Sequence, residues 1–379
     1  MNVVHTISLI RSAFAEHAFT TAEARARGIG PDRLERAVRA GALRRLRGGL
    51  YALPGTEGAD AWAWAASRAR QLGERQVPAV IAGPTSAGMW DIPIIGAQPD
   101  AMGLRPTLYV DPTSGVREGF RDGVRIVHAS LAPVDIWGPV ADPGRSVAVG
   151  PPGASGVAAP AQGPLVCMPL RTAVDLTRHL ALSEPAAVAA LSAAQRRHAA
   201  LLDGWVPAMG AHADAGHVVH RSEQGKAESR LTDRLQDPVL REALREDLMG
   251  AVLRAPHRGL RHVRGALDFV DPRLETALEG ISWARMCRSG LPLPCLQHWV
   301  TGASGRRYRV DFFWPELRLI GEADGAVKYR SAADVMAEKD RHADLGDAGH
   351  ALVRWTWRDA WVAGIFLGRI EREMDRARR

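Results

Sequence analysis

The residues best placed to do chemistry lie between Arg309 and Tyr329, in the run RVDFFWPELRLIGEADGAVKY. Val310, Phe312 and Phe313 are strand formers, Pro315 and Glu316 mark a turn, and Leu317 to Gly321 opens a second apolar run. Asp311 falls in the first strand, and Glu322 and Asp324 end the second. Side chains two apart on a strand share a face, so Glu322 and Asp324 project together, and a hairpin brings Asp311 across from them. Three carboxylates gathered in this way repel one another unless a cation lies between them. Hard oxygen ligands of this kind suit Mg²⁺ or Mn²⁺, which keep open positions for water and phosphate.

Elements on either side must hold that hairpin. Leu274 to Ser289 reads as one amphipathic helix carrying Glu275 and Glu279 on one face, and Gly290 stops it. A strand over Leu296 to Val300 follows, then a turn at Gly302 to Gly305 and the acidic hairpin. Next come a helix over Ala332 to Leu345, a strand over Leu352 to Trp357 and a covering helix over Ala360 to Arg379. The order of helix, three strands, helix and strand, with Asp311, Glu322-x-Asp324-Gly325 and the closing Val353-Arg354-Trp355-Thr356, resembles the PD-(D/E)XK nuclease superfamily and most closely its Vsr-related group. That resemblance implies a restriction-endonuclease-like core and hydrolysis of phosphodiesters. Asp311, Glu322 and Asp324 would then bind the metal, Glu279 (or Glu275) would reach it from the first helix, and Gln297 matches a Gln of the family's first strand. Lys328 stands where the group often has a His. The superfamily's lysine, two residues after the Glu, is replaced here by Asp324.

The N-terminus carries a different signal. Three short helical patterns are followed by a ribbon over Leu43 to Leu53 that turns at Gly48-Gly49. Pro31 opens the third helix and Gly41 ends it. This is a winged helix-turn-helix pattern. Residues 1–54 hold nine Arg against four acidic residues, a balance of +5. Arg33, Arg36 and Arg39 recur along the third helix, and Arg44, Arg45 and Arg47 lie on the ribbon, a distribution suited to double-stranded DNA. The plainer reading is a solvated basic face. The segment ARGIGPDRLERAVRAGALRRLRGGLYAL resembles the N-terminal domain of AbiEi-type antitoxins of type IV toxin–antitoxin systems. This resemblance implies a promoter-binding regulator with a cognate toxin as partner.

The region between is a mixed α/β pattern. Asp60 to Leu72 reads as a helix and Pro84 to Trp90 as the start of another. Leu108 to Val110 and Val124 to Val127 read as strands. Leu170 to Leu176 resembles a helical segment of AbiEi-like proteins, and Arg171 and Asp175, one turn apart, suit a structural ion pair. Ser86 and His128 sit in no nucleophile elbow. Gly138 to Gly163, rich in Gly, Pro and Ala, predicts a mobile excursion. His212, His217 and His220, with Asp214 as the one acidic residue among them, match no zinc spacing.

Bulk properties bound the rest. The 379 residues suffice for several domains, the net charge is +7 and the pI about 9.9. Cys167, Cys287 and Cys295 form no C-x-x-C pair and suit a reducing cytoplasm. No signal peptide and no membrane span are legible. The sequence predicts a multi-domain α/β chain. It comprises a winged helix-turn-helix at 1–54, a mixed α/β middle at 55–200 with a loop at 138–163, a helical connector at 201–270 and a restriction-endonuclease-like α/β core at 271–379. Two functions remain open: a metal-dependent DNA endonuclease, and an antitoxin-like autorepressor whose nuclease fold is inert.

Overall fold

Three sheets organise the chain in a computed structural model. It describes residues 3–14, 19–47, 50–53, 60–73, 75–96, 106–121, 124–142, 145–149, 165–203, 221–324 and 332–379. Lys328 and the histidines at 212, 217 and 220 with Asp214 lie outside the described residues.

The first unit comprises α1 (Val3–Phe14), β1 (Phe19–Thr20), α2 (Thr21–Ala26), α3 (Pro31–Arg39), β2 (Arg44–Arg47) and β3 (Leu50–Ala52). Pro31 occupies the first turn of α3, where its missing N–H is no loss, and Leu34 and Ala37 are fully buried one turn later. The strands form an antiparallel sheet in the order β1-β3-β2, one strand more than the expected ribbon. Phe14 stacks on Phe19 at 4.2 Å, and Ile10, Ile29, Leu34 and Leu43 complete a core drawn, among the described residues, from this unit.

The middle region holds α4 (Asp60–Gly73), β4 (Ala79–Ala82), α5 (Gly83–Met89), β5 (Thr107–Val110), β6 (Gly119–Arg121), β7 (Val124–His128), β8 (Ile136–Asp142), β9 (Arg145–Val149), β10 (Leu165–Cys167), α6 (Pro169–Leu180) and α7 (Glu184–Leu202). Its seven-stranded sheet runs β6-β7-β5-β4-β10-β8-β9 and is mixed: β4 pairs with β10, and β5 with β7, in parallel. The excursion expected from Gly138 onward is corrected in its first part. Gly138 to Asp142 pairs antiparallel with Arg145 to Val149, so backbone hydrogen bonding organises a stretch whose composition suggested none. Ser86 Oγ lies 2.6 Å from Thr172 Oγ1, and His128 Nε2 lies 2.7 Å from the Val116 carbonyl, so both are taken up locally.

Arg171 and Asp175 form the expected pair, Nε to Oδ2 at 2.8 Å, with both side chains 1% exposed. The pair belongs to a larger network. Asp135 accepts from Arg171 at 3.3 Å and from Arg254 at 2.7 Å, while Asp175 also accepts from Arg178 at 2.7 Å. Buried charges persist only when paired in this manner.

Three helices, α8 (Arg221–Arg234), α9 (Pro238–Arg254) and α10 (Leu260–Ala266), lead into the last sheet. There α11 (Ala277–Ser289) is followed by β11 (Cys295–Thr301), β12 (Arg307–Trp314), β13 (Leu319–Ala323), α12 (Ala332–Asp347), β14 (Ala351–Trp355), α13 (Trp357–Trp361) and α14 (Ala363–Ala377). The sheet order is β11-β12-β13-β14, antiparallel except for the parallel pair β13–β14. Two boundaries differ from expectation because caps outweigh hydrophobic spacing. α11 starts after Thr276, whose Oγ1 accepts from the Glu279 N–H at 3.2 Å, so Leu274 is buried ahead of the helix and Glu275 is not helical. β14 ends at Trp355, because Thr356 and Asp359 form a capping box that starts α13.

One apolar core runs from Ala65 to Met374, through the middle sheet and into the last. Its joint is α7 against α11. A Cβ on Gly280 would lie 2.7 Å from the Cα of Ala189, so only glycine permits this approach.

Candidate functional site

The acidic pocket forms where the last sheet changes the face it presents. Val310 packs with Leu345 of α12, whereas Phe312, two residues on, packs in the core that contains α11. On the neighbouring strand Leu296 pairs with Phe312 and His298 with Val310, so Gln297 and Asp311 oppose one another between those pairs. Gln297 adopts φ 50°, a left-handed conformation costly for a residue with a Cβ. The gain is an amide aimed at two acids: Nε2 donates to Glu279 Oε2 at 3.0 Å and to Asp311 Oδ1 at 3.4 Å.

Glu279 is 3% exposed. Its carboxylate also accepts from the Glu275 N–H at 2.9 Å and from the Thr276 hydroxyl at 2.8 Å. Burial, and next the charge of Asp311, push its pKa up to about 8. Asp311 accepts from the Ala323 N–H at 3.0 Å, and burial raises its pKa to about 6. Glu322, on β13, is raised to about 8 by burial and by Asp311. Arg341 of α12 donates to Glu322 Oε1 at 2.7 Å and to the Arg309 carbonyl at 3.0 Å.

Asp324 shares Arg354 as a neighbour with Glu322. Its N–H donates to the Trp355 carbonyl at 2.8 Å, and its carboxylate lies 3.8 Å from Arg354, the residue in register with Glu322. Arg354 also contacts Glu338 and His342 of α12. Glu275, the alternative to Glu279, is drawn elsewhere: its Oε1 accepts from Arg309 at 2.9 Å, from Arg196 at 3.1 Å and from Thr232. Asp311 therefore lies beside both Glu279 and Glu322, Asp324 lies near Arg354, and Glu275, bonded to Arg309, Arg196 and Thr232, still adds its charge to Glu279 and Asp311.

The arginines are what sequence reasoning missed. The signal was present: Glu338, Arg341 and His342 recur at helical spacing on α12, and Arg354 follows Val353 on the closing strand. In donor chemistry, three carboxyl groups suit a hard divalent cation. In placement Gln297 joins Glu279 to Asp311 while Arg341 holds Glu322, and among the described residues no group of three or more His, Cys, Asp or Glu is arranged to hold a metal ion.

At the other end of the chain, α3 buries Leu34 and Ala37 and exposes Arg36 and Arg39 beside Asp32 and Glu35. Arg33 donates to the Gly28 carbonyl at 3.2 Å and Arg36 to that of Asp32 at 3.2 Å, which leaves further donors on each guanidinium. Arg45 of β2 lies 3.7 Å from Glu35 and within 5.5 Å of the Tyr51 ring centre, which sets this strand beside α3. Arg44 is exposed on the same strand, and Arg47 closes it.

Together these features define a mixed α/β protein that opens with an arginine-rich unit of winged-helix form. Residues 8–54, nearly all of that unit, match the family model described as "Transcriptional regulator, AbiEi antitoxin". Similarity to curated proteins extends to two uncharacterized proteins of Mycobacterium tuberculosis, from strains CDC 1551 / Oshkosh and ATCC 25618 / H37Rv. Each is 37% identical over 122 residues, 32% of this chain and 45% of the relative. The chain thus spans less than half the length of the relatives it matches. Among the described residues no helix is long and apolar enough to cross a membrane.

Proposed function

We propose that this protein is a DNA-binding transcriptional regulator of the AbiEi antitoxin type, acting on double-stranded DNA and paired with a toxin protein. The observation that carries this reading is the coincidence of the family match at residues 8–54 with a self-contained unit that has its own core and an exposed arginine face. A helix bearing Arg33, Arg36 and Arg39 suits the major groove, while Arg44, Arg45 and Arg47 on the wing strand suit the phosphate backbone. The test is a gel-shift and reporter assay on the DNA upstream of the gene. Retarded migration and repression, both lost on Arg36→Ala/Arg39→Ala, support the reading. Unchanged repression in that variant overturns it.

A second reading is favoured by the acidic pocket. The helix–sheet order from α11 to β14 resembles a restriction-endonuclease-like core, and buried Glu279, Asp311 and Glu322 are unusual unless a cation serves them. Mg²⁺ or Mn²⁺ held there, with Asp324 at the mouth, would supply Lewis-acid activation of water for phosphodiester hydrolysis. Lys328 would add positive charge from the segment after β13. Arg341 would have to leave Glu322 first. Incubating plasmid with the protein and Mg²⁺ or Mn²⁺ tests this reading: cleavage abolished by Asp311→Asn, with DNA binding intact, supports it. Absence of cleavage leaves the C-terminal fold as an inert scaffold in the regulator.

A further inference from the structure

Arg341 stands where the acidic pocket would need its cation. It comes from α12 and sets one nitrogen, Nη2, 2.7 Å from Glu322 Oε1 on β13 and 3.0 Å from the Arg309 carbonyl on β12. Its charge acts on Asp311 as well as on Glu322, so one guanidinium serves both strands of the hairpin. Arg354 also acts on Glu322, but its close contacts are with Glu338 and His342.

This placement conflicts with a metal in the same pocket. A Mg²⁺ ion bound by Glu322 would lie about 2.1 Å from a carboxylate oxygen. With a guanidinium nitrogen already 2.7 Å from Oε1, two cations would compete for one carboxylate. The charge of Arg341 would oppose a divalent ion on Asp311 too. The helix that carries Arg341 is pinned one turn further on. Leu345 is buried with Val310, Phe313 and Ile320, and Asp344 accepts from the Ser304 N–H at 2.7 Å and from the Tyr308 hydroxyl at 2.9 Å. The Arg341 side chain is 22% exposed, so it can leave by rotating into water while α12 stays in place.

We infer that Arg341 is an internal gate on this pocket: seated on Glu322, it supplies the positive charge itself and keeps divalent cations out of the DNA-free protein. A cation enters only after the guanidinium has turned away. The contact is autoinhibitory toward the nuclease reading, on which the inference rests for the kind of cation, and it is independent of DNA binding by the first unit.

Titration of the full chain with Mn²⁺ in the absence of DNA tests the inference, followed by calorimetry and by loss of the free ion's paramagnetic resonance signal. At about pH 8 the wild type should show no Asp311-dependent binding tighter than a Kd of about 1 mM. Arg341→Met keeps the aliphatic stem and removes the charge, and should bind Mn²⁺ at least about tenfold more tightly. Arg341→Met/Asp311→Asn should lose that binding. Arg341→Gln keeps a donor for Glu322 and should move in the same direction; it takes the place of Arg341→Met if circular dichroism shows the latter unfolded. Wild-type binding as tight as that of the arginine variants, or no Asp311-dependent binding by a folded Arg341 variant, overturns the inference. Plasmid cleavage decides the nuclease reading separately, because no DNA enters this titration.

Discussion

Raising the pH should loosen the last sheet, and Glu279→Gln should remove much of that sensitivity. Glu279 and Glu322 are held at about 8 by burial and by Asp311, and Asp311 itself at about 6. Each of these carboxyls binds its proton more tightly in the folded chain than in the unfolded one. Their favourable contribution is complete below the ordinary carboxylate range and is lost as pH rises, first through the Asp311 value and then through about 8. At 1.36 kcal/mol per pKa unit, moving one glutamate from its ordinary value to about 8 corresponds to roughly 5 kcal/mol. The three groups titrate together and Arg341 offsets part of the charge, so the expected loss between about pH 5 and about pH 9 is of the order of 3–5 kcal/mol. Urea titrations of chelator-treated protein, followed by the emission of the buried Trp314 and Trp355, read this as a falling midpoint. Glu279→Gln keeps an acceptor for Gln297 and for the Glu275 N–H, and its amide can donate to Thr276. The variant should show a shallower slope and exceed the wild type in stability at about pH 9. A midpoint that rises with pH, or an identical slope in the variant, would refute the reasoning. Adding Mg²⁺ at the high-pH end should restore the midpoint if the carboxylates accept a cation. It should do nothing if Arg341 and bound protons are their whole compensation.

Further expectations concern other parts of the chain. Arg36→Ala/Arg39→Ala should lower the salt dependence of DNA binding by about one unit of slope for each phosphate no longer neutralised, read from binding isotherms at several ionic strengths. Gly280→Leu should cost about 3 kcal/mol or more, because the added atoms meet the Ala189 backbone and no flexible side chain, and a urea midpoint reads the loss. Arg171→Met should cost about 3–5 kcal/mol by leaving Asp135 and Asp175 short of their shared cation, while Arg254→Ala, which removes only the outer partner of Asp135, should cost less; comparing the two unfolding midpoints decides it.

Local chemistry was the legible part of this chain. Pro31 and Gly41 bounded α3, the one-turn spacing of Arg171 and Asp175 gave a buried ion pair, and strand-forming runs with a turn between them located β12 and β13. The third strand of the first unit was not legible, because Phe19-Thr20 is too short to show a period. The β8–β9 pairing was hidden by composition, since its cohesion is in the backbone. In the acidic pocket, periodicity put Glu322 and Asp324 on one face and so grouped them. In the structure Glu322 is bonded to Arg341, Asp324 lies 3.8 Å from Arg354, and the charge of Arg354 reaches Glu322 as well. Which acid joins Asp311 depends on the face change at Gln297 and Asp311, and no spacing rule along one strand encodes a change that two strands make together.

The close approach of Gly280 to Ala189 has a practical corollary for anyone cutting this chain into pieces. A fragment beginning near Asp271 would carry α11 without α7, and its upstream counterpart would keep α7 with nothing laid over it. Each half would show a hydrocarbon seam to water, so each should come out of expression in inclusion bodies, and the two should be rescued by being made together.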